Sequence, residues 1–62
     1  MPEKLFIDGD DVLFMSVPGE PLKKFKVVSA VWDKTNNEWI YKISNKSGES
    51  FVKVREKLLT MD

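Results

Sequence analysis

Short runs of β-branched and aromatic residues, separated by turn signals, constrain this chain more than any other feature of it. Asp8-Gly9 marks a turn, because Gly accepts positive φ and Asp tolerates a tight bend. Residues 11–17 read as a first strand, with Val12 and Phe14 on one face and Leu13 and Met15 on the other. Pro18, Gly19 and Pro21 then break regular structure. Residues 24–33 read as a second strand, but its apolar parity changes at Val27-Val28 and again at Val31-Trp32. A straight strand keeps its parity, so a bulge or bend is expected near Ser29-Ala30. Residues 34–37 close a hairpin, since paired asparagines suit the positive φ of tight turns. Trp39, Tyr41 and Ile43 share one face of a third strand over residues 39–43, and residues 45–48 form the next turn. A fourth strand is expected over 51–54, a single helical turn over 55–57 and a last short strand over 58–61. The competing reading is one helix over 52–61. It has good helix formers at 55–58 but no capping box, because Ser50 is followed three positions later by Lys53 rather than Glu.

Five strands and one helical turn in 62 residues describe a single all-β domain. It is a small barrel covering residues 1–62, with 1–5 as a loose lead-in. A chain of this length buries only roughly 60% of its unfolded surface, and small scaffolds usually add a disulfide or a metal. With no Cys and no His, neither a disulfide nor an ordinary zinc site is available, so no metal or cofactor is expected. Stability must come from a 42% apolar content that includes seven aromatics. Val12, Phe14, Val28, Trp39, Tyr41, Ile43, Val52, Val54 and Leu59 are the expected occupants of the interior. The longest apolar run, residues 12–15, is far shorter than a membrane span. Four acids within the first fifteen residues do not resemble a secretion signal. A soluble, intracellular protein is expected, with no membrane partner.

Laid out in this way, the chain resembles the small SH3-like barrels of the Tudor and chromo-barrel type. The resemblance is carried by Gly9-Asp10-x-Val12 opening strand one, Phe25 to Val31 as strand two and Trp39-x-Tyr41-x-Ile43 as strand three. The Ser47-Gly48-Glu49 turn and the run from Val54 to Leu59, with its single turn, complete it. It implies a five-stranded SH3-like barrel with one short helical turn near the C-terminus. It also implies binding of a protein, of nucleic acid, or of methylated lysine or arginine in an aromatic cage. Phe25 corresponds to the first cage position, whereas the second falls on Lys46 or Ser47, which are not aromatic.

Catalysis is not expected. The usual general base and the usual strong nucleophile are both missing. Asp8, Asp10 and Asp11 lie on a turn where water would reach all three, and acid–base work needs a cleft that shifts a pKa. The spacing of a calcium loop is absent. For nucleic acid, Lys24, Phe25 and Lys26 interleave charge with an aromatic, and Lys42, Lys53 and Arg55 could join them. The formal net charge is zero, however, with −4 over residues 1–22 and +4 over residues 23–62. Phosphate binding normally requires a basic domain, so only weak binding is expected. For protein, alternation leaves a surplus of apolar groups. Leu13, Met15, Trp32, Ile40 and Phe51 oppose the expected interior set; either a second, minor cluster under the loop over residues 18–21 absorbs some of them or they are left for a partner. A contiguous exposed apolar patch marks a contact site, and Trp is enriched at binding hot spots. The expected role is a non-catalytic interaction module binding a protein or peptide through Trp32 and Phe51, ringed by Leu13, Met15 and Ile40. The alternatives are a weak nucleic-acid-binding barrel and a self-associating subunit.

Overall fold

A computed structural model describes residues 3–62. Five strands follow one another: β1 (Asp11–Phe14), β2 (Lys23–Asp33), β3 (Glu38–Ser44), β4 (Ser50–Arg55) and β5 (Thr60–Met61). A 3₁₀ turn, Glu56–Leu58, separates the last two. All pair antiparallel in one sheet of order β4-β3-β2-β1-β5, so β4 and β5 are its edges. The competing helix over 52–61 does not form. Among the described residues no helix is long and apolar enough to cross a membrane.

Turn chemistry fixes the strand ends. Asp33 accepts the Thr35 N–H at 3.0 Å and the Asn36 side-chain amide at 2.9 Å, and Asn37 takes φ 53°. This closes the β2–β3 hairpin with Trp32 opposite Trp39 and Val31 opposite Ile40. Strand β1 stops at Phe14, shorter than the expected 11–17, because the chain turns ahead of Pro18.

Two bulges decide which residues face inward. In β2 the register slips between Val27 and Ser29, one position before the expected bend. The slip puts Phe25 and Val27 inside and leaves Val28 42% exposed. In β4 the register slips opposite the Tyr41 to Ile43 stretch of β3, with Lys53 at φ 56°. Phe51 therefore lies opposite Ile43 and Val54 opposite Tyr41, both on the inner face. Val52 is turned out. The expectation that Val28 and Val52 fill the interior is thus corrected, because each bulge inverts the alternation beyond it.

The core is Phe6, Val12, Phe25, Val27, Tyr41, Ile43, Val54 and Leu59, with Phe14, Ala30, Trp39 and Phe51 packed against it. Its aromatic contacts reveal the curvature of the sheet. Two strands separate β1 from β4, so in a flat sheet they would stand about 14 Å apart at about 4.8 Å per strand. Yet the Phe14 and Phe51 rings meet at 5.4 Å, and both reach Phe25 at 5.9 and 5.7 Å. The sheet bends strongly enough to bring the inner-face rings of β1 and β4 into contact.

The segment ahead of β1 covers one end of this core. Phe6 is buried edge-on against Tyr41, with ring centroids 5.5 Å apart. The Tyr41 hydroxyl donates to Glu56 at 2.5 Å and accepts the Phe6 N–H at 3.4 Å. The same Glu56 carboxylate accepts the Leu5 N–H at 3.0 Å, and Lys4 Nζ stands 5.8 Å from the Trp39 ring centre. Lys4 and Leu5 thus each make a contact with the sheet or the 3₁₀ turn, while the first two residues of the expected lead-in, 1–5, lie outside the described residues. Burial, then the bond to Glu56, pushes the Tyr41 phenol up to about 12.

Candidate partner-binding face

The outer side of β2, β3 and β4 carries the exposed apolar side chains Val31 and Val52. Alternation from the Val31–Ile40 pair places Val31, Ile40 and Lys42 on this side. The β4 bulge adds Val52 and Lys53 opposite Lys42. Together with Ser29 they line a shallow depression of about 310 Å³. Val31 is 60% exposed and Val52 64%, while Ile40, between Val31 and Arg55, is half-buried.

Charge on this side is divided. Arg55 Nε donates to both Glu38 oxygens, at 3.1 and 2.8 Å, so that cation is neutralised within the sheet. Lys42 and Lys53 are exposed, and among the described residues neither has a carboxylate within ion-pair distance. The depression therefore has an apolar floor and two uncompensated ammonium groups at its margin. Such an arrangement could combine desolvation of branched side chains with attraction of a negative group.

A larger hollow, of about 910 Å³, lies on the other side of the β2 bend, lined mainly by Lys23, Lys24, Lys26, Asn45, Lys46 and Glu49. Most of its cations are already compensated. Lys24 reaches Asp11 at 3.9 Å and Asp62 at 3.3 Å, Lys26 reaches Asp11 at 3.8 Å, and Lys23 reaches Glu49 at 3.5 Å. Of the residues expected to contact nucleic acid, Lys24 and Lys26 lie here, whereas Lys42, Lys53 and Arg55 lie across the bend. Phe25 is only 1% exposed, so its ring has no face to stack on a base or to wall a cage.

The five residues expected to form the partner site are scattered. Ile40 alone lines the depression. Leu13 is on the outer side of β1, half-buried between Lys24 and Thr60. Met15 follows β1 and is 46% exposed. Trp32 packs its ring on Trp39, with centroids 5.5 Å apart, at the hairpin end. Phe51 is half-buried in the aromatic cluster with Phe14 and Phe25. Val31 and Val52 are the residues that sequence reasoning passed over. Val31 could have been found, because a turn at 34–37 already sets it opposite Ile40. Val52 could not, because a lysine at the bulge gives no signal of the left-handed backbone that a glycine would announce. No family model, curated protein or solved structure matches the chain.

Proposed function

We propose that the chain is an SH3-like barrel acting as a non-catalytic interaction module, taking a protein or peptide partner on the outer face of β2, β3 and β4. The strand order, the 3₁₀ turn before β5 and the contact between Phe14 and Phe51 support the barrel reading. The observation that carries the function is the juxtaposition of exposed Val31 and Val52 around Ile40 in one depression. Among the described residues the core holds only eight buried apolar side chains. A domain with so little apolar surface inside gains no stability from placing branched residues in water. Covering them yields about 25 cal/mol per Å², which a partner can collect. Nucleic acid fits less well, since Lys24, Lys26 and Arg55 are ion-paired and Phe25 is buried.

The test is selection of binding peptides from a random display library, followed by amide-shift mapping. Selected peptides should move the resonances of Val31, Ile40 and Val52 and should lose binding to a folded Val31→Glu variant. Peptides that all map elsewhere, or that bind Val31→Glu unchanged, overturn the reading.

A further inference from the structure

We infer that the depression takes a carboxylate-bearing apolar segment of a partner protein, whose acids are read by Lys42 and Lys53. This rests on the reading of the outer face as a binding surface and adds the chemistry of what binds there.

The first argument is charge. Elsewhere on β2 and β4 the cations Lys23, Lys24, Lys26 and Arg55 all have carboxylate partners. Lys42 and Lys53 have none among the described residues, and they line the same depression as Val31, Ile40 and Val52. A lone solvated lysine needs no explanation. Two beside a surface that a partner would cover are different, because covering strips water from the ammonium groups. A neutral or cationic segment would leave them poorly solvated. An acidic one replaces the lost water with charge-assisted hydrogen bonds.

The second argument is the backbone. Lys53 holds φ 56°, a left-handed conformation that glycine adopts freely and that strains an L-residue. The bulge needs the conformation but not the side chain. Keeping a lysine there places an ammonium beside Val52 that glycine could not supply. The bulge and the lysine also disrupt the free edge of β4, the means by which sheets avoid edge-on pairing. The segment is therefore expected to lie across the face, gripped by side chains, rather than to join β4 as a sixth strand. A second copy of this chain fits poorly, because face-to-face packing would oppose lysine to lysine.

The experiment is a titration of the whole chain with a short synthetic leucine–glutamate peptide and its leucine–glutamine and leucine–lysine analogues, read by amide shifts at Val31, Ile40 and Val52. The glutamate peptide should bind roughly three- to thirtyfold more tightly than the glutamine one near physiological salt, the sum of two exposed charge contacts. Lys53→Gly and Lys42→Gln should each remove roughly two- to fivefold of that preference. Both should lower glutamate-peptide affinity more than glutamine-peptide affinity while the amide spectrum stays that of a folded chain, a split that loss of fold would not produce. Equal binding of the glutamate and glutamine peptides at this face overturns the acidic preference while sustaining the binding face. No shift at the face with any of the three peptides overturns both. Retention of the full preference by Lys53→Gly and Lys42→Gln removes the lysines' role. Concentration-dependent shifts of the same residues without peptide, or equal shifts with oligothymidylate, assign the face to self-association or to nucleic acid and overturn the inference.

Discussion

At Tyr41 the apolar interior meets a polar clasp. Its ring lies in the core, while its hydroxyl links Phe6 of the entering segment to Glu56 of the 3₁₀ turn. Tyr41→Phe keeps the ring and removes the link. A hydrogen bond to a charged group contributes about 1.5–3 kcal/mol, so the variant should lose about that much in urea unfolding. The raised phenol pKa adds a pH signature. The unfolded phenol ionises near 10 and the folded one near 12. The folded state thus holds its proton more tightly, and its advantage is complete below 10. It is lost progressively as pH rises through that window. Wild-type melting temperature should fall between pH 10 and 12, and Tyr41→Phe should lack this part of the fall. Lys53 gives the opposite kind of residue effect. Replacing it by glycine relieves the left-handed strain at some cost in unfolded-state entropy. A net gain of about 0.5–1 kcal/mol, read as a higher urea midpoint, is expected.

Among the elements, the connection from β3 to β4 has the clearest local cause. Asn45 Oδ1 accepts the N–H groups of Ser47 at 3.1 Å and Glu49 at 3.0 Å, and its amide donates to Glu49 Oε1 at 3.0 Å. Gly48 supplies φ 89° inside the loop, and its N–H bonds back to the Asn45 carbonyl. This bond from Asn45, aided by Lys23, holds the Glu49 carboxyl below the usual carboxylate range. A lowered pKa stabilises the fold above the usual carboxylate range, and that contribution fades as pH drops through the folded value. Asn45→Ala should cost about 1–2 kcal/mol from two lost backbone bonds, and should weaken the acid limb of the stability profile. The turn was legible from Asn45 and Gly48 alone, because its bonds are local. The β4 bulge three residues past the turn was not. Its cause is the need to bring both Phe51 and Val54 inward on a strongly curved sheet, and that need exists only once β1 and β4 approach each other.

For the whole molecule, the inner and outer faces can be told apart by two similar truncations. Ile43→Ala empties a fully buried site and should cost about 2–5 kcal/mol, against a total of about 3–9 kcal/mol for a domain of this length. Val31→Ala removes an exposed side chain and should stay within about 0.5 kcal/mol. Comparable losses in the two melting curves would reverse the assignment of faces. The radius of gyration, 11.2 Å, fits the value of about 11 Å for a compact chain of this length, and leaves the outer face of β2–β4 as surface rather than as half of a folded core.

The sequence by itself determined the all-β class, the number and order of the strands, the helical turn near the C-terminus and the β2 bend. These follow from turn chemistry and from period-two patterning, both of which act within a few residues. It also supplied Val12, Tyr41, Ile43, Val54 and Leu59 as interior groups, since each lies on a stretch whose alternation survives folding. Only the tertiary structure decided the remainder. Phe6 enters the core from a segment with no strand pattern, because Tyr41 and Glu56 hold it from far along the chain. Phe25 and Val27 turn inward, and Val28 and Val52 outward, because two bulges shift parity by one residue. A shift of one residue exchanges the faces of a strand, so the set of side chains left exposed depends on curvature. Curvature is a property of the whole sheet, not of any run within it.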